Sequence, residues 1–179
     1  MVLQQEPSDL QRLAATPGEA GTLAKTVVAR LLWPGKPSPA VDVPPLNPEE
    51  RERFAAGTEI YNNLCVACHQ PDGRGREKLA PTLVDSRYSA GPDAGAAIRI
   101  LLAGKEGPIG LMPPLGTALN DDQIASVLTY VRREWGNSGS PVSPEDVREI
   151  RGLTRGRSRP WTDAELQTGR GGRGMENPR

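Results

Sequence analysis

The strongest constraint on this chain is a five-residue segment, Cys65-Val66-Ala67-Cys68-His69. The whole 179-residue sequence contains two cysteines and one histidine, and all three lie in this segment. A random distribution would almost never place the one histidine directly after the second of two cysteines. We therefore expect the chemistry of the chain to be located here.

Several kinds of site use two cysteines separated by two residues. A structural zinc site needs four nitrogen or sulfur ligands, and the sequence offers no second pair. A thioredoxin-like dithiol follows a strand, whereas the residues before Cys65 have the pattern of a helix. A plain disulfide is a further alternative, although this spacing more often serves redox or metal chemistry.

Covalent attachment of haem is the interpretation that we favour. In a Cys-x-x-Cys-His segment the two thiols bond to the vinyl groups of haem, and the adjacent imidazole becomes the proximal iron ligand. The composition agrees, because 36% apolar residues, 4% aromatic residues, 20 glycines and 18 prolines provide little material for a core. A tethered haem would supply the missing apolar volume.

Charge and hydropathy argue against two other classes of protein. The 22 basic and 22 acidic residues balance, so neither nucleic acid nor an anionic membrane surface is the expected partner. The longest apolar runs fall far short of the roughly 20 residues that span a bilayer, so no transmembrane segment is predicted. The first residues lack a basic start followed by an apolar stretch, so we also expect no signal peptide in this sequence.

Helix signals flank the cysteine segment on both sides. Asn47 followed by Pro48 and two glutamates predicts a helix start, and apolar residues at three- and four-residue steps continue to Cys65. Asn120 with Gln123 predicts the start of a second helix, which Gly136 ends. The apolar face of this helix is formed by Ile124, Val127, Leu128, Val131 and Trp135. A third helix is predicted over residues 93–103, and we predict no strand.

Residues 48–136, about half of the chain, resemble a class I cytochrome c in the Cys65–His69 segment and in the order of the helices. The resemblance implies an all-α fold with helices around one covalently bound haem c. It also implies that the first and last helices cross closely. Gly57 and Tyr61 on the first helix would then meet the face that carries Val127 and Tyr130.

Met112 is the candidate for the second axial ligand of the iron. Of the other two methionines, Met1 is the first residue and Met175 lies in a Gly/Arg-rich tail. Pro113 forces Met112 out of helical geometry, which predicts a stiff loop ahead of the last helix. The resemblance assigns the axial methionine to this loop, with His69 as the proximal ligand.

The resemblance also assigns supporting roles around the haem. It implies that the carbonyl of Pro81 accepts the second ring N–H of His69, which orients the imidazole. Leu83, Leu101 and Leu102 are candidates for packing on the macrocycle. Candidates for holding the haem propionates are Arg87, Tyr88 and Trp135.

The function that the resemblance implies is electron transfer, not catalysis. Electrons would pass from a dehydrogenase to an oxidase or another carrier. Residues 32–37 and 137–147 resemble the flanks of cytochrome c domains in large exported multidomain proteins, including quinone-dependent sugar dehydrogenases, which favours a fused or partner dehydrogenase as the donor. The alternatives are a haem enzyme or ligand sensor with an open or displaceable sixth position, and an interaction domain whose haem is structural. A periplasmic or exported location follows from the family.

The regions outside 48–136 are predicted to be appendages. Residues 1–33 contain an amphipathic helix that needs a partner, either on this chain or in a fused or neighbouring domain. Residues 34–47 hold five prolines and form the expected linker. Residues 137–168 form a helical extension, with one helix from the Ser143 cap to about Thr154 and a further turn at 160–166, and residues 169–179 are expected to be disordered.

Overall fold

A computed structural model of the chain describes residues 6–31, 43–91 and 93–167. The chain divides into two units, Met1–Asp42 and Val43–Arg179. The first unit contains helices α1 (Ser8–Ala14) and α2 (Glu19–Arg30). The amphipathic helix predicted in this region is confirmed by α2, whereas α1 was not predicted. Leu23 and Val27, which belong to the predicted apolar face of α2, are exposed.

The second unit is mostly helical and carries the cysteine segment. Its elements follow one another along the chain as α3 (Pro48–Ile60), a π-helical turn (Tyr61–Cys65), α4 (Val66–His69), α5 (Gly95–Ala103), β1 (Lys105–Gly107), β2 (Gly110–Met112), α6 (Asp121–Arg133), α7 (Pro144–Leu153) and α8 (Asp163–Gln167). Among the described residues, no helix has both the length and the apolar content needed to cross a membrane.

The core lies where α3 crosses α6. A methyl group added at Gly57 would lie 2.0 Å from the backbone oxygen of Ser126 and 2.9 Å from the Tyr130 Cβ, so only glycine allows this approach. Tyr130 is surrounded by aromatic rings whose centroids lie 5.2 to 5.5 Å away, those of Phe54, Tyr61 and Trp135. The expected crossing of the first and last helices, with Gly57 and Tyr61 against Tyr130, is confirmed.

Capping residues begin the three helices whose starts the sequence marks most clearly. Asn47, Asn120 and Ser143 each accept a hydrogen bond from the backbone N–H three residues later, and each of those later side chains bonds back to the cap. These capping boxes satisfy N–H groups that would otherwise lack partners. The predicted starts of α3, α6 and α7 are therefore confirmed.

Three sequence expectations about local structure are wrong. The unit contains an antiparallel hairpin, β1–β2, whose three-residue strands are too short to show alternation in the sequence. Met112 therefore ends a strand, paired with Lys105, instead of lying in a loop. The last helix of the core ends at Arg133, because Glu134 is extended and Trp135 has a positive φ of 53°.

Arg132 connects α6 to two neighbouring loops. Its side chain is fully buried and donates to the carbonyls of Ser140 at 2.8 Å and Gly91 at 2.9 Å, with longer contacts to Ser89 and Asp93. Burial lowers the pKa of the guanidinium. The hydrogen bonds to the carbonyls compensate for the lost hydration, and they join residues about 40 positions apart.

Candidate haem attachment site

The Cys65–His69 segment lies at the end of one continuous helical stretch. Helix α3 continues through the π-helical turn into α4, and the stretch ends where Gln70 adopts a positive φ of 61°. Single π-helical turns often occur at functional sites. The hydroxyl of Tyr61 donates to the backbone oxygen of Gln70 at 2.7 Å, which ties the end of this stretch back to its middle.

Cys65 and Cys68 are both free thiols on this stretch. Cys65 is half-buried against the hydrophobic core, and Cys68 is exposed. Burial, followed by the nearby Cys68, raises the pKa of the Cys65 thiol to about 11. A dithiol that exchanges disulfides needs a lowered cysteine pKa, so the environment of Cys65 disfavours the thioredoxin-like alternative.

His69 is held in the tautomer that leaves Nε2 available as a ligand. Its Nδ1 lies 3.1 Å from the carbonyl oxygen of Pro81, and because a carbonyl can only accept, Nδ1 carries the proton. The other nitrogen, Nε2, has no hydrogen-bond partner among the described residues. Burial lowers the pKa of His69 even though the bond to Pro81 acts in the opposite direction. Burial thus favours the neutral form of the imidazole, and the bond to Pro81 leaves the lone pair on Nε2.

The loop between His69 and Pro81 is folded tightly enough to bring the two together. Gly75 has φ +75°, and a Cβ there would lie 2.3 Å from the oxygen of Ala80 and 2.5 Å from that of Pro81. The backbone N–H of Gly75 also donates to the oxygen of His69 at 3.0 Å. Gly75 is a residue that sequence reasoning missed, although its place between the motif and Pro81 is a usable signal.

The remaining predicted site residues surround the same part of the core. Met112 is half-buried and packs against the core together with Leu83 and Leu102, and Leu101 belongs to the core itself. The carbonyl oxygen of Met112 lies against Gly104, where a Cβ would come within 2.6 Å of it. The structure thus places all four side chains in or against one apolar cluster, to which Cys65 also packs.

Two of the three propionate candidates already use their donor groups elsewhere. The indole N–H of Trp135 donates to the oxygen of Pro71 at 3.1 Å, and its ring packs on Tyr61. The hydroxyl of Tyr88 donates to Asp163. Arg87 is exposed, with its guanidinium 5.8 Å from the Tyr88 ring centroid. Of the three, only the Arg87 side chain keeps its hydrogen-bond donors uncommitted among the described residues.

Comparison with known proteins relates this chain to c-type cytochromes, whose haem chemistry fits the two thiols and the imidazole described above. A family model described as cytochrome c oxidase, cbb3-type, subunit III matches residues 52–131, which include Cys65, Cys68, His69 and Met112. The gluconate 2-dehydrogenase cytochrome c subunit of Pantoea cypripedii is 32% identical over 133 residues, covering 69% of this chain and 26% of that protein. This chain contains a class I c-type cytochrome domain.

Other relatives of the cytochrome domain fall into two groups. The fructose dehydrogenase cytochrome subunit of Gluconobacter japonicus is 30% identical over 105 residues, covering 53% of this chain and 22% of that protein. The cbb3-type cytochrome c oxidase subunit FixP of Bradyrhizobium diazoefficiens is 33% identical over 83 residues, covering 46% of this chain and 28% of that protein. The chain spans about a quarter of the length of these curated relatives.

Proposed function

We propose that this cytochrome domain carries single electrons on one haem c, attached through Cys65 and Cys68 and ligated by His69 and Met112. The observation that carries the proposal is the hydrogen bond from His69 Nδ1 to Pro81, which leaves Nε2 unpartnered. Bound haem supplies an iron that changes by one electron between the ferrous and ferric states.

The chain's own residues would hold and tune this group. Cys65 and Cys68 would form the two thioether bonds, and the Pro81 carbonyl would keep the His69 ring oriented and strengthen it as a ligand. The Met112 thioether is a softer and weaker donor than an imidazole, so it would favour the ferrous state more than a second histidine would. Leu83, Leu101 and Leu102 would pack on the macrocycle and keep water away from it.

The partners of this carrier are proposed from its relatives. The relatives are named as cytochrome subunits of gluconate, alcohol and fructose dehydrogenases and as a subunit of a cbb3-type cytochrome c oxidase. We infer a fused or partner dehydrogenase, such as a quinone-dependent one, as the electron donor, and an oxidase or another carrier as the acceptor. Because thioether attachment is completed outside the bacterial cytoplasm in this family, we also propose a periplasmic or exported location.

The domain limits follow the same reasoning. We propose 48–136 as the haem-binding part, 1–33 as a helical extension, 34–47 as a linker and 137–168 as a second extension. The disordered tail predicted for 169–179 lies outside the described residues. The extension at 1–33 would pack on a fused or neighbouring domain.

Near-infrared absorption of the oxidised, haem-loaded protein tests the proposed ligation. Sulfur ligation of ferric iron produces a charge-transfer band, which we expect in the parent protein and not in Met112→Ala. Leu111→Ala is the matched control, because Leu111 is the preceding residue of β2 and its side chain is exposed. Absence of the band from the parent protein would overturn His69/Met112 ligation and favour the open-site enzyme or sensor.

A further inference from the structure

The C-terminal extension contacts the segment of Met112 on both sides. Before Met112, strand β1 is flanked by Trp161: the Trp161 N–H donates to the oxygen of Gly104, and the Glu106 N–H donates to the oxygen of Trp161, each at 2.9 Å. Residue 161 thus adds a parallel bridge to the outer edge of the hairpin. Because Lys105 pairs with Trp161 on one side and Met112 on the other, Met112 lies one strand away from the extension.

Side chains reinforce this first contact. Trp161 is 1% exposed, and the guanidinium of Arg157 lies 3.5 Å from its ring centroid. Two residues later, Asp163 accepts a hydrogen bond from Tyr88 and pairs with the Lys105 ammonium at 3.2 Å. The Lys105 side chain is itself largely buried. The extension is therefore attached to β1 by backbone bonds, a buried ring and an ion pair.

After Met112, the contact is made by Arg151 on α7. Its guanidinium donates to the carbonyl of Gly116, to that of Leu119 at 3.0 Å and to the Asp121 carboxylate at 2.7 Å. Gly116 and Leu119 lie between Met112 and α6, and Asp121 is the first residue of α6. One planar guanidinium with several donors can hold several acceptors in fixed positions, which a single ammonium cannot.

We propose that residues 144–167 form a clamp that keeps Met112 on the iron, with Trp161 and Arg151 as positioning residues. The inference rests on the proposed His69/Met112 ligation. A thioether is a weak, neutral ligand that exogenous bases can displace, so its retention depends on how rigidly its backbone is held. The chain segments before and after Met112 are both bonded to the clamp. Loosening either segment raises the population of molecules in which Met112 is released from the iron.

Imidazole titration of the ferric, haem-loaded protein tests the clamp, with loss of the sulfur-to-iron band as the signal. Trp161→Ala and Arg151→Gln should each bind imidazole at least about fivefold more tightly than the parent, while controls stay within about twofold. Arg148→Gln is the matched control, because Arg148 lies on the same helix and pairs with Asp121 at 3.7 Å but bonds to no carbonyl near Met112. Gly57→Ala controls for general destabilisation at the α3–α6 crossing.

A second measurement reports on the clamp without exogenous ligand. Amide hydrogen exchange should accelerate at Glu106 in Trp161→Ala, because its N–H donates to the backbone of residue 161. If Trp161→Ala does not mature with haem, Arg151→Gln decides the question by the same titration.

The outcomes separate the two proposals. A parent protein with the band, together with unchanged imidazole affinity in both clamp variants, overturns the clamp and leaves Met112 ligation standing. A parent protein without the band overturns Met112 ligation, and the clamp with it. Tighter imidazole binding in Gly57→Ala as well as in the clamp variants would also overturn the clamp, because general loosening would then explain the effect.

Discussion

Replacing Gly57 by alanine should destabilise the cytochrome domain by pushing α3 and α6 apart. The added Cβ would lie 2.0 Å from the Ser126 oxygen, whereas ordinary contact begins at 3.4 Å, so the helices would have to separate by more than 1 Å. The obstructing atoms are backbone, which cannot rotate away as a flexible side chain can.

The magnitude follows from two opposing effects. Overpacking of a core costs about 1 to 3 kcal/mol, and a backbone obstruction places Gly57→Ala at the upper end of that range. Alanine regains about 1 kcal/mol relative to glycine in a helix interior. We therefore expect a net loss of about 2 kcal/mol in the free energy of unfolding.

Gly152→Ala provides the matched control, because Gly152 is also helical and a Cβ there would meet nothing within 4 Å. That variant should be neutral or more stable by up to about 1 kcal/mol. Denaturant unfolding of both haem-loaded variants, followed by helical circular dichroism, measures the difference. If Gly57→Ala is as stable as Gly152→Ala, the argument from close helix approach is refuted.

Three further predictions concern single side chains. Tyr61→Phe, which loses a hydrogen bond to the backbone after the motif, should lower the free energy of unfolding by about 1 kcal/mol; no change in urea unfolding would contradict this. Arg132→Met leaves the loop carbonyls that the guanidinium binds without a hydrogen-bond donor, and should lower the free energy of unfolding by about 3 kcal/mol in the same assay. A decrease smaller than that of Tyr61→Phe would count against the role of Arg132. The hydrogen bond from Tyr88 holds the pKa of Asp163 below its ordinary value. Asp163 therefore stabilises the fold at any pH above its ordinary pKa, and this contribution is lost as the pH falls through the lowered pKa of the folded state. Unfolding free energies measured from about pH 6 to about pH 2 should therefore fall less steeply in Asp163→Asn, and parallel curves would show that Asp163 contributes nothing.

The hairpin shows why the sequence did not predict all local structure. Each strand has three residues, so hydrophobic alternation has no length over which to appear. Trp161, which lies more than 50 positions from β1, adds backbone bonds to the outer edge of this hairpin. No local pattern around Lys105 or Met112 carries that information.

The sequence by itself predicted the capped helices and identified the Cys65–His69 motif, because both depend on residues close together in the chain. Capping boxes join residues three apart, and Cys65, Cys68 and His69 lie within five positions. Only the tertiary structure decided how Trp161 and Arg151 bond to the segments around Met112, and how Arg132 joins two loops. These contacts connect residues that are distant in the chain, so no local sequence pattern specifies them and they exist only in the folded protein.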